Sequence, residues 1–299
     1  MQYRTLGKSN LQVSALCLGT MMFGDQTGQD EAAAIVADAR AHGVNYIDTA
    51  DVYTKGASET MLGNLLKGQR HDWVLATKLG NKISDRVNEG HYSRSWMLRE
   101  LDNSLQRLQT DHVDILYMHR DVIGMDLEEP LRAIDAMLRA GKIRYWGVSN
   151  FRGWRIAEIM RIAGQMGMPG PTVCQPYYNL LNRMPEVEIL PACDHYGIGV
   201  TSYSPVARGV LTGKYAPGQA PAEGTRAARG DKRMSETPRR VAGHCANIEG
   251  TCRSQGHHAG PVRHRLGAGP PRRQLCDCRA AHAAAMAGLP ARAGLHRGT

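Results

Sequence analysis

The chain has 299 residues, long enough for one large domain with a well-buried core. Its formal charge of +9 would favour a nucleic-acid or anionic-surface partner, but the excess is local: residues 1–240 carry 29 Lys and Arg against 26 Asp and Glu, whereas the last 59 carry 8 Arg against Glu249 and Asp277. No apolar run is long enough to span a bilayer, the start MQYRTLGKSNLQV lacks the apolar core of a signal peptide, and three of the seven cysteines (Cys17, Cys174, Cys193) lie in or beside apolar runs, so a cytoplasmic protein with free buried thiols and neither a nucleic-acid nor a membrane partner is expected.

The first element is a hairpin, QYRTLGKSNLQVS, with its turn near Gly7–Asn10. From Val13 to Pro205, short β-branched runs alternate with amphipathic segments. VSALCLGT leads to DEAAAIVADARAHG, VNYIDTA to SETMLGNLLKG, WVLATKL to SWMLRELDNSLQRL, and HVDILYMH to LEEPLRAIDAMLRAGK. IRYWGVSN then leads to GWRIAEIMRIAGQ and TVCQPYY to VEILPACDHYG, and IGVTSYSP is the seventh strand. Strands separated by helical patterns imply right-handed βαβ units and a parallel sheet. The fold class is therefore α/β, a (β/α)8 barrel with the N-terminal hairpin plugging its bottom.

Closure needs an eighth strand and two more helices after Pro205. Lys214 to Thr237 reads instead as a polar loop, and beyond about Arg239 there is no Phe, Trp, Tyr or Lys and only one Ile. The expected organisation is a barrel over residues 1–238 and a low-complexity basic tail over 239–299, disordered, with the last strand and helices lost.

Asp48, Tyr53, Lys78 and His119 each sit at or just past a strand end, and a parallel barrel builds its active site from such positions on one rim. Singly, each has a plain structural reading, as a core tyrosine, a paired lysine or a hydrogen-bonded histidine. Together they make a proton donor with its tuners. A tyrosine hydroxyl is a weak acid at neutral pH, and a neighbouring cation favours its phenolate. Lys78 is placed to supply that charge, Asp48 to hold the lysine, and His119 to hydrogen-bond a substrate oxygen. Ser149, Asn150 and Gln175 offer neutral donors and acceptors suited to a carboxamide, or else they merely cap strands. Ser204, Pro205, Val206 and Arg208 follow the seventh strand, where barrels commonly begin a phosphate site, and Arg208 and Lys214 would pair with phosphate oxygens. GxGxxG is absent, no metal-ligand spacing occurs in residues 1–240, and His257, His258, Cys276 and Cys278 lie in the tail.

The blocks YIDTADVYTKGASE, ATKLG, VDILYMHRD, GVSNF, CQPYYNLLNR and TSYSPVARGVLTGKY, in this order and spacing, resemble the aldo-keto reductase family over residues 1 to about 238. The resemblance implies NADP(H)-dependent reduction of aldehyde or ketone carbonyls, with Tyr53 as the acid and Asp48, Lys78 and His119 as its supports. It also implies that Ser149, Asn150 and Gln175 hold the nicotinamide amide, that Tyr203 stacks on the nicotinamide ring, and that Thr20 and Asp48 lie near the cofactor. The family also resembles the β subunits of voltage-gated potassium channels, so a nicotinamide-binding regulatory subunit is the rival reading, and an inactive truncated barrel a third. Finally, read one base later, HHAGPVRHRLGA permits ITPGQFAIAWVL and CRAAHAAAMAGL permits AGPRTQQQW, which are similar to the family's penultimate helix and last cofactor loop. Met286 followed by any alanine codon forces the tryptophan. The tail is accordingly read as an out-of-frame continuation.

Overall fold

The computed structural model describes residues 1–212, 214–215, 219–231 and 234, together with the backbone of 274–279. Strands β1 (Tyr3–Thr5) and β2 (Gln12–Ser14) pair antiparallel, with Arg4 opposite Val13. Their hairpin sends Leu6 and Val13 into an apolar cluster with Cys17, Tyr46, Val74 and Val173. Gly7 at the turn packs on the backbone of Thr172 and Gly199, where two barrel strands begin. The hairpin thus plugs the bottom, as the sequence implies.

Seven strands follow: β3 (Leu16–Gly19), β4 (Tyr46–Asp48), β5 (Val74–Leu79), β6 (Val113–Met118), β7 (Ile143–Ser149), β8 (Val173–Gln175) and β9 (Gly199–Ser202). Between successive strands lie α1 (Gln29–Ala41), α2 (Ala57–Leu65), α3 (Arg94–Leu108), α4 (Glu128–Arg139), α5 (Gly153–Gln165) and α6 (Ile189–Tyr196). Each strand pairs in parallel with the next in the chain.

The runs are apolar throughout because both faces are covered. In-phase residues Tyr46, Ala76, Ile115, Tyr117 and Val173 fill the barrel, while Ile47, Leu75, Leu116, Val148 and Cys174 point outward to the helices. The helices answer with apolar stripes of period near 3.6, such as Ala32, Ile35, Val36 and Ala39 of α1. Ser93 starts α3 by accepting a hydrogen bond from the Trp96 N–H.

The seven strands stand as the sequence implies, and one further stretch of backbone joins them: β10 (Gln274–Arg279), parallel to both β9 and β3, with Cys276 opposite both Ser202 and Leu16. The physical reason is the unpaired N–H and C=O groups that β9 and β3 would otherwise present, a template that an extended segment satisfies through its backbone alone. Composition gave no sign of this because main-chain pairing needs no particular side chains. The expected loss of the two final helices, and the expected disorder of the rest of the tail, fall outside the described residues.

Gly80 fixes how the chain leaves β5. Its φ is +117°, and a Cβ there would stand 2.2 Å from the Tyr92 ring and hydroxyl. Tyr92 is itself tied down, donating to the Arg120 carbonyl at 2.6 Å and accepting from the Arg120 N–H at 3.0 Å. Gly80→Ala therefore combines backbone strain with overpacking and should destabilise by about 3 kcal/mol or more. Urea unfolding of the two proteins measures this.

Candidate active site

Strand parity sets the site. Asp48 ends β4 in phase with Tyr46, and Lys78 lies on β5 opposite Tyr117, so both polar groups top the barrel's inner layer. Lys78 is fully buried, and Asp48 is 1 % exposed. The Lys78 ammonium donates to Asp48 Oδ1, to the Thr49 carbonyl at 2.8 Å and to the Tyr53 hydroxyl at 3.2 Å. An isolated buried ammonium would be costly; three oxygens around it offset the desolvation. The other Asp48 oxygen accepts from Gln175 Nε2 at 3.1 Å.

Tyr53 reaches this centre from a single 3-10 turn, Tyr53–Gly56, in which Thr54 and Lys55 take positive φ. The turn is anchored where the Thr54 hydroxyl donates to the Phe23 carbonyl at 3.0 Å. His119, just past β6, meets the Tyr53 ring edge-on, with centroids 5.8 Å apart and planes at 82°. All four members of the expected set therefore converge. The phenol and the imidazole line a cleft of about 500 Å³, with the ammonium fully buried against the phenol oxygen.

The other wall of that cleft carries Ser149, Asn150, Gln175, Tyr203 and Arg208. They form a connected set: Asn150 Nδ2 donates to Ser149 Oγ at 3.0 Å and to the His119 carbonyl at 3.1 Å, and Tyr203 donates to Asn150 Oδ1 at 2.8 Å. Ser149 in turn donates to the Gln175 carbonyl at 2.8 Å. Tyr203 packs on Tyr177 at 5.3 Å, and the Arg208 guanidinium lies over the Tyr177 ring at 4.7 Å.

Thr20 stands elsewhere. It is fully buried behind Asp48, bonded to the Asp48 carbonyl through its amide (2.9 Å) and hydroxyl (3.0 Å), and its hydroxyl meets Ser58 at 2.9 Å. It positions β4 rather than lining the cleft. Ser204, Pro205 and Val206 open a tight turn with positive φ at Ser204, Ala207 and Arg208, and Val206 packs against Leu211 and Tyr215. Lys214 follows that turn; partial burial, then Arg226 and Arg229, lowers the pKa of its ammonium.

Sequence reasoning missed several lining residues: Met21, Met22, Asp25, Val52, Thr54, Asn81 and Arg226. Arg226 comes from the polar loop, where it pairs with Asp231 at 3.2 Å and meets Met22 Sδ at 3.5 Å. Only its charge could have marked it. Among the described residues no group of three His, Cys, Asp or Glu is arranged to hold a metal, and no helix is long and apolar enough to cross a membrane.

A second charged layer supports the first from behind. Arg107 bridges Glu59 (2.7 Å) and Glu100 (2.6 Å), and Thr77 donates to Glu59 at 2.5 Å. Asp51, 1 % exposed, forms no salt bridge among the described residues. Burial, and then Glu59 and Glu100, raise its pKa well above the ordinary 3.8. A carboxyl held protonated in the fold favours folding fully below its unfolded value, and that contribution is lost as pH rises towards the folded one. Asp51→Asn should therefore leave Tm little changed near pH 4 and raise it by about 2–4 °C at pH 8.5. Thermal melts at the two pH values measure the difference.

A parallel (β/α)8 barrel with a buried Lys–Asp pair under a tyrosine and a histidine at its C-terminal rim defines a class of barrel oxidoreductase. The Aldo/keto reductase family model matches residues 15–259, extending the likeness past residue 238. The chain is 40% identical over 230 residues to a probable voltage-gated potassium channel subunit beta of Oryza sativa subsp. japonica, covering 75% of this chain and 69% of that one. A protein of the same description from Arabidopsis thaliana is 39% identical over 230 residues, with the same coverage. The uncharacterized oxidoreductase YrpG of Bacillus subtilis (strain 168) is 38% identical over 240 residues, covering 77% and 73%. The chain belongs to the aldo/keto reductase family, and is an oxidoreductase of that family.

Proposed function

We propose that the protein reduces aldehyde or ketone carbonyls with NADPH, Tyr53 acting as the general acid. The observation that carries this reading is the buried Lys78 ammonium held among Asp48, the Thr49 carbonyl and the hydroxyl of Tyr53, which itself lines the cleft. When bound, the reduced nicotinamide would supply the hydride. The chain's own groups do the rest. Tyr53 gives its proton to the carbonyl oxygen as negative charge develops there, and Lys78 stabilises the phenolate left behind. Asp48 fixes the ammonium. His119, edge-on to Tyr53, marks the other side of the oxygen's position.

The donor set fits the cofactor. Ser149, Asn150 and Gln175 cluster amide and hydroxyl groups on one wall, Tyr203 gives a flat ring, and Arg208, Lys214, Arg226 and Arg229 gather positive charge where phosphates would lie. The buried cysteines Cys17, Cys174 and Cys193 suit a reducing cytoplasm.

The names of the two plant relatives support a second reading, a cofactor-binding regulatory subunit. NADPH oxidation monitored with a panel of short aldehydes separates the two: turnover supports reduction, and tight NADPH binding without turnover supports regulation. We read residues 239–299 as an out-of-frame continuation in either case. A one-base correction near codon 240 should then tighten NADPH binding in a fluorescence titration, and unchanged affinity would contradict it.

A further inference from the structure

Beneath the ion pair lies a group that the proposed reaction does not use. Tyr117 and Tyr46 are fully buried inside the barrel, with their hydroxyls 2.6 Å apart. Burial raises both phenols' pKa well above the ordinary value, so they remain neutral. Tyr117 is the register partner of Lys78 on the neighbouring strand, and the Lys78 ammonium lies 5.9 Å from its ring centroid and 4.8 Å from that of Tyr53. Both distances fall within reach of a cation–π attraction, which is strongest where water is excluded.

The ring is held in place on two sides. Tyr46 tethers its hydroxyl, and Gly147, its register partner on β7, gives the ring room: a Cβ at Gly147 would stand 2.8 Å from Tyr117 Cε1. The groups facing the ammonium are then Asp48 and Tyr53 on one side and Tyr117 below, with Tyr46 and Cys17 in the layer beneath.

We infer that Tyr117 is a positioning residue for Lys78: its ring, admitted by Gly147, floors the ammonium's site and keeps the charge against the Tyr53 oxygen. Asp48 and the Thr49 carbonyl hold the ammonium through hydrogen bonds. The floor opposes displacement downward and shuts water out of the layer below, so the coupling between cation and phenol depends on a face that makes no hydrogen bond with either. This rests on the reading of Tyr53 as the acid.

The test is an ultraviolet difference titration in the full chain, each protein measured against its own Tyr53→Phe counterpart, which isolates ionisation of Tyr53 and needs no turnover. Tyr117→Leu removes the ring, and the Tyr53 midpoint should rise by about one pH unit. Tyr117→Phe keeps the ring and should hold the midpoint within about 0.3 unit. If Tyr117→Leu does not fold, Tyr117→Met fills similar space without a π-face and should behave like it. In steady state, ring removal should lower kcat roughly tenfold with KM within about twofold. A lowered Tm with an unmoved midpoint would reduce Tyr117 to packing and overturn the inference. So would an equal shift in Tyr117→Phe, which would assign the effect to the hydroxyl. Wild-type protein that consumes no carbonyl would overturn the proposed function, while the titration would still decide the role of Tyr117.

Discussion

Replacing Tyr53 by Phe should lower kcat for carbonyl reduction by about 10²–10⁴-fold, the range for loss of a general acid, with NADPH affinity changed less than about twofold. The substitution removes one oxygen. It leaves the ring that meets His119 edge-on at 5.8 Å, so the 3-10 turn and the cleft wall should persist. Lys78 keeps Asp48 and the Thr49 carbonyl. A loss confined to kcat would therefore be a loss of proton transfer and not of architecture. Reduction at near-parental rates would put the acid elsewhere.

Lys78→Met should have two effects of comparable size. Methionine has similar length and volume but no charge, so the Tyr53 oxygen loses the donor at 3.2 Å and activity should fall by roughly 10²-fold or more. What remains should persist to higher pH, because the phenol without the neighbouring cation keeps its proton further up the scale. The second effect is on stability. Asp48 is 1 % exposed, and without the ammonium its carboxylate retains Gln175 at 3.1 Å but no cation. Breaking a buried pair from one side costs about 3–5 kcal/mol. Adding Asp48→Asn to Lys78→Met removes the stranded charge and should recover much of the Tm while leaving activity low. Recovery of both would mean that the pair serves folding alone.

The barrel was legible because β4, β5 and β6 are covered on both faces, so VNYIDTA, WVLATKL and HVDILYMH stand out as apolar runs ending in polar residues. The same parity that buries Tyr46 beside Asp48 in phase made the four rim residues readable without coordinates. Contributions that depend on the main chain left no trace. The Thr49 carbonyl on Lys78 and the ladder that holds Gln274–Arg279 between β9 and β3 need no particular side chain. Arg226 was hidden for another reason: it reaches Met22 from more than two hundred residues away, within a loop with no periodicity to mark a face. Thr20 shows the converse. The family resemblance sets it near the cofactor, and only the fold shows that its hydroxyl is taken up by Ser58 and the Asp48 carbonyl.

Hydride transfer itself is the step to watch. Purified protein mixed with a slight excess of NADPH deuterated at one C4 position, and then with a short aldehyde, is quenched after a single turnover and the alcohol analysed by mass spectrometry. The stacked Tyr203 wall and the single Tyr53–His119 edge predict deuterium on the carbinol carbon from one of the two C4-deuterated cofactors and none from the other. Bound NADPH that yields no alcohol with either label would contradict reduction at this site.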